Sequence, residues 1–175
     1  MKLKPDKLTE RESRILTLTG NKIAMYNIDG LPEKSFSVEV SYEYYECSKL
    51  LETNVLGGIS TSEPLKKKEK IEIGVIIFDN KEISTVLRIG AGTSTSRINL
   101  ESKTFLDTHI SGFLDEEISL RLGSEIYILQ ASKGSIFTSV RLGENIDKEY
   151  FKSVLESQDE TFLIKISIKE SDIKQ

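Results

Sequence analysis

Between Phe36 and Tyr44 the apolar residues Phe36, Val38, Val40, Tyr42 and Tyr44 occupy every second position, against Ser37, Glu39, Ser41 and Glu43. Successive side chains of a strand point to opposite faces, so this spacing makes one packed face and one polar face. The period returns in Ile118-Leu120-Leu122, in Ile136-Thr138-Val140-Leu142 and in Phe162-Ile164-Ile166-Ile168, where Lys165, Ser167 and Lys169 alternate with the last set. A chain written this way must fold into sheets that bury one side. Ile71–Phe78 is apolar on both faces from Ile73 onward, which predicts a central strand covered on both sides. Gly74 within it marks a bulge or a close backbone approach.

Glycines punctuate the strands. Gly20-Asn21 separates Arg14–Thr19 from Lys22–Ile28, and Gly123-Ser124 separates Glu117–Leu122 from Glu125–Ala131. Both read as two-residue type II′ hairpin loops with glycine first. Ser132-Lys133-Gly134 reads as a three-residue loop with left-handed glycine, and Asp79-Asn80 links Lys70–Phe78 to Ile83–Ile89. Glu117–Leu142 is then a three-stranded meander. One helix is expected, Lys148–Ser157, capped by Asp147 and stapled by Ile146 against Phe151. Its Phe151, Val154 and Leu155 share a side that lies on a sheet.

Composition bounds the function. The chain has 175 residues, a net charge of −4 and 30% charged residues, so it lacks the basic excess of a general nucleic-acid binder. One cysteine, Cys47, excludes an internal disulfide and leaves few ligands for a zinc site. A lone thiol, a charged N-terminal stretch and the absence of any long apolar run predict a cytoplasmic protein with no membrane association. The absence of Trp beside abundant Ile and Lys points, by association, to an AT-rich bacterial or phage genome.

The most site-like segment is Gly90-Ala91-Gly92-Thr93-Ser94-Thr95-Ser96-Arg97. Glycines free backbone N–H groups for an anion, hydroxyls add donors and Arg97 adds charge, so Gly90, Gly92, Thr93, Ser94 and Arg97 form the candidate ligand set. No Gly-Lys-Ser/Thr follows, so it is not a P-loop. The bland alternative is an ordinary connector. His109, with Asp107, Asp115, Glu116 and Glu117 near it in sequence, lacks companions for metal or base chemistry. Lys66-Lys67-Lys68 is diluted by Glu63, Glu69 and Glu72. Tyr45 and Glu43 share the face opposite Tyr42 and Tyr44 and form a candidate interaction surface, since Tyr is enriched at interfaces.

These observations predict a mainly β fold. It is one β-rich domain over residues 1–175, an antiparallel β sandwich or flattened barrel of 8–10 strands with one C-terminal helix. Flexible loops fall at 56–69 and 101–116, and a polar tail at 170–175. The functional expectation is a non-catalytic binding or assembly module, as a protein-interaction domain or a bacterial or phage structural component. It takes a protein partner or self-associates, with no cofactor and no metal. The alternative is an anion-binding or enzymatic domain using Gly90–Arg97. Far-UV circular dichroism is expected to report helix well below about one third, the average of globular domains.

Overall fold

The computed structural model describes residues 1–61, 69–78, 82–99, 110–134, 142–143 and 147–171. Two antiparallel sheets pack face to face as a β sandwich. The first has the order β7 (Gly92–Asn99), β6 (Glu82–Ile89), β5 (Ile71–Phe78), β2 (Lys22–Asp29), β1 (Lys2–Asp6), β9 (Ile118–Ser119). The second has the order β4 (Lys49–Ser60), β3 (Phe36–Glu46), β11 (Glu160–Glu170), β10 (Glu125–Lys133), β8 (Ile110–Phe113). The described residues thus hold eleven strands, more than the 8–10 expected, because β1, β4 and the short β8 carry almost no alternating apolar period.

The alternation does what strand geometry requires. Ile71, Ile73, Val75 and Ile77 of β5 face Phe36, Val38, Val40 and Tyr42 of β3 and Phe162, Ile164, Ile166 and Ile168 of β11 across one core, all buried. Tyr42 stacks on Phe162 at 5.0 Å between centroids. Two buried hydroxyls reach across the sheets to carbonyl acceptors, so neither proton is left without a partner. Tyr26 of β2 holds its hydroxyl 3.1 Å from the carbonyls of Leu114 and Ile128, and Thr85 of β6 donates to the Leu56 carbonyl at 3.0 Å. Near Thr85 the layers almost touch. A Cβ on Gly57 would lie 3.0 Å from Thr85 Oγ1 and 3.3 Å from Leu87 Cδ1, so a larger residue there would push these side chains aside by a few tenths of an ångström.

Several expectations are corrected. Arg14–Thr19 is not a strand: α1 (Glu10–Thr19) forms there, because Thr9 caps it in a reciprocal box with Glu12 and Gly20 closes it in the left-handed region. Gly20 is therefore a helix terminator rather than a hairpin glycine. Gly123 stands second, not first, in the turn Arg121–Ser124, where its φ of +87° resembles the third position of a type II turn. That turn moves the chain from one sheet to the other: β9 pairs with β1, β10 with β11 and β8, so Glu117–Leu142 is no meander. Gly134 is not left-handed, and Ser132 and Lys133 belong to β10. Residues 56–60 of the expected loop 56–69 continue β4, and residues 110–113 of the expected loop 101–116 form β8. The strand expected at Ile136–Leu142 and the staple residue Ile146 fall mostly or wholly outside the described residues. No described helix is long and apolar enough to cross a membrane.

The C-terminal helix forms where expected, as α2 (Lys148–Glu156), with Asp147 accepting from the backbone N–H groups of Glu149 and Tyr150. It packs Val154, Leu155 and Phe151 on Tyr45, Leu163 and Tyr127 of the second sheet's outer face. Tyr127 stacks on Phe151 at 5.4 Å, and Tyr45 meets it edge-on at 6.1 Å. Under this aromatic group lies Glu43, buried. It accepts from Lys165 at 2.7 Å, Tyr45 at 2.7 Å and Tyr127 at 2.8 Å. Burial alone pushes the Glu43 carboxyl up, but these three donors outweigh it and hold the group below its ordinary value.

Removing Glu43 takes from the Lys165 ammonium its closer carboxylate, leaving only Glu125 at 3.5 Å, and strands two hydroxyls, so Glu43→Ala is expected to lower stability by about 3 kcal/mol in urea denaturation. Because native Glu43 binds its proton less readily than the unfolded chain, its stabilisation is complete above the ordinary value of 4.5 and fades as pH falls through the lower native one. Wild type is therefore expected to lose more stability than Glu43→Gln in melts run below that pH.

Candidate functional site

The core consumes both inner faces and α2 covers much of one outer face, which leaves the outer face of the first sheet. Register places Asp6, Met25, Gly74, Val86 and Thr95 directly opposite one another across five strands. A second row sets Ile23 beside Ile76, and a third sets Glu72 beside Arg88. Because opposed residues of antiparallel strands point the same way, these rows make one surface. Gly74 sits in its middle without a side chain, and the sheet is hollow there. A depression of about 160 Å³ is lined by Ile23, Met25, Glu72, Gly74, Ile76, Val86 and Arg88.

The hollow continues. A cleft of about 380 Å³ shares Ile23 and Met25 with it and runs on past Pro5, Asp6, Leu8 and Ser13 to Phe113, Leu114 and Asp115. The floor is apolar and the rim is charged. At one end Glu72 joins Arg88 at 3.6 Å and Lys70 at 3.1 Å. At the other stand Asp6, Lys7 and Asp115, and the two carboxylates have no ion-pair partner among the described residues. The strand Ile71–Phe78 is thus central in its sheet, as expected, but among the described residues it is covered on one face only.

Gly74 is the informative residue. Its φ is not in the left-handed region, the pairing on both sides runs without a bulge, and a Cβ there would meet only Val86 at 3.8 and 3.9 Å, ordinary contact distances. Neither bulge nor close approach explains it. Glycine in a strand interior is destabilising, and here the backbone gains nothing in return. What it does is keep the groove open.

The residues singled out in sequence land elsewhere. Gly90-Ala91 is the two-residue turn joining β6 to β7, with glycine at +53° in first place. Gly92, Thr93, Ser94 and Arg97 lie in β7 itself, whose ladder with β6 is unbroken from Gly92 to Asn99, so the segment is not a loop free to wrap an anion. Arg97 is engaged by Glu82 and sits 5.3 Å above the Phe78 ring. Tyr45 and Glu43 do share a face, but it is the face that α2 covers, so their contacts are internal. Cys47 is exposed in the β3–β4 turn, where its N–H donates to the Asp159 carbonyl. His109 and Lys66–Lys68 lie outside the described residues. Among the described residues no three of His, Cys, Asp and Glu converge as a metal site would need.

The sequence reading missed the groove, although its signal was present. Ile71–Phe78 is apolar on both faces, a pattern shared by a strand buried between layers and one flooring an open groove; the interrupting Gly74 is the mark that one of those faces is a hollow. Gly74→Val is expected to raise folding stability by about 1 kcal/mol, because it restores strand preference without a clash. Thermal and urea unfolding of the variant check this; a destabilised variant contradicts the open-space reading.

A protein-family model described as the YgaN domain matches residues 2–168. No curated protein and no solved structure matches the chain.

Proposed function

We propose, for a chain that belongs to the YgaN domain family, that it is a non-catalytic binding or assembly module that receives a protein segment in the outer groove of its first sheet. The observation that carries this is the glycine-floored apolar hollow, held open at an energetic disadvantage that neither turn nor packing explains. Sites that trade stability for an open shape are characteristic of function. Its flat apolar floor and charged rim have the anatomy of a protein interface, and a groove this shallow suits an amphipathic helix.

The anion-binding alternative at Gly90–Arg97 has less support, because Arg97 already spends its charge on Glu82 and its face on Phe78. Strand addition at an open edge has some: β7 is an edge strand of regular register, whereas the edge strand β4 is bulged against β3 and so is less suited to pairing. The cytoplasm is the proposed setting, consistent with one exposed thiol.

The test compares proteins retained in native cells by tagged wild type, Met25→Glu and Gly74→Leu, with Val55→Glu on the other sheet as control. The expected result is one companion, which can be the chain itself, lost in both groove variants and kept in the control, with unchanged circular dichroism. Companions indifferent to both groove variants contradict the reading.

A further inference from the structure

The groove and α1 are two unsatisfied surfaces side by side, since Ser13 of α1 lines the same cleft as Ile23 and Met25. Helix α1 contributes no buried residue to its own chain. Its residues Arg11, Arg14, Ile15 and Leu18 stand at i, i+3, i+4 and i+7 and so form one face. Ile15 is 51% exposed and Leu18 is 84% exposed. The side chains of Arg11 and Arg14 have no ion pair or hydrogen bond among the described residues. A helix of ten residues is marginal in water unless an apolar stripe is packed, and this stripe points away from the core.

We propose that the occupant of the groove is helix α1 of a second copy of this chain, in a reciprocal two-fold dimer. This rests on the proposed function and names the partner. Size agrees: four strands about 4.8 Å apart span roughly 14 Å, and ten helical residues rising about 1.5 Å each extend roughly 15 Å. Chemistry agrees. Ile15 and Leu18 meet the floor of Met25, Gly74, Ile76 and Val86, while Arg11 and Arg14 approach Asp6 and Asp115, carboxylates with no ion-pair partner among the described residues. Symmetry agrees as well, because helix and groove adjoin on one side of the molecule, so a single two-fold axis seats both helices at once.

Sedimentation equilibrium of the purified full chain from micromolar to millimolar concentration tests the proposal. Wild type is expected to pass from monomer to dimer. Leu18→Glu on the helix and Gly74→Leu in the groove are each expected to weaken association at least tenfold, with unchanged circular dichroism. Arg11→Glu with Arg14→Glu is expected to weaken it too, and Asp6→Lys with Asp115→Lys in the same chain to restore it. A wild type that stays monomeric throughout, or a dimer indifferent to both Leu18→Glu and Gly74→Leu, overturns the proposal. If the purified chain is monomeric while the groove variants still lose a companion in cells, the dimer is wrong and the binding module stands. A dimer broken by Leu18→Glu but unaffected by Gly74→Leu means that the helix associates without the groove, and overturns it likewise.

Discussion

Everything in this molecule depends on two apolar faces having nowhere to go but each other. The inner rows of β5, β3 and β11 are built from isoleucine, valine and aromatic residues that exclude water only when the sheets stack. Stacking brings the layers close enough at one corner that a Cβ on Gly57 would crowd Thr85 and Leu87, and it buries Thr85 and Tyr26, whose hydroxyls are satisfied by carbonyls of the facing layer. The hydrogen bonds follow from the packing, because a buried hydroxyl without a partner is expensive.

Once the inner faces are spent, the outer faces meet different fates. The second sheet presents Tyr45, Leu163 and Tyr127 around Glu43 and Lys165, a mixed surface that would be poorly solvated if left open. Helix α2 lies on it, and the Glu43 carboxylate gathers three donors beneath Phe151. The first sheet presents Ile23, Met25, Ile76 and Val86 around a glycine, and no described element covers them. One outer face is completed within the chain. The other invites completion from outside it, and the uncommitted stripe of α1 lies next to it.

Local chemistry was legible unevenly. The rule that glycine opens a type II′ loop holds at Gly90-Ala91 and fails at Gly20 and Gly123, where the same residue ends a helix and turns the chain between layers. Positive φ is what glycine supplies, and three different structures need it. The β3–β4 turn shows the converse. Cys47 and Ser48 both adopt positive φ although neither residue advertises a turn, because the long pairing of β3 with β4 and the Cys47 bond to Asp159 impose it. Helix α1 is written in Thr9, Glu12 and Gly20, whereas Ile15, Thr17 and Thr19 alternate as a strand would.

By itself the sequence determined the class of fold, the inward and outward sets on β3 and β11, the central place of β5 in its sheet, and the position of α2. These rest on periods of two and 3.6 and on a capping aspartate, all properties of residues near one another in the chain. Only the tertiary structure decided which outer face would be covered, that Tyr45 and Glu43 would turn inward under a helix, and that Gly74 would floor a groove with Met25 and Val86. Those outcomes depend on register between strands far apart in sequence, and period alone cannot tell an apolar face buried between layers from an apolar face left open to a partner.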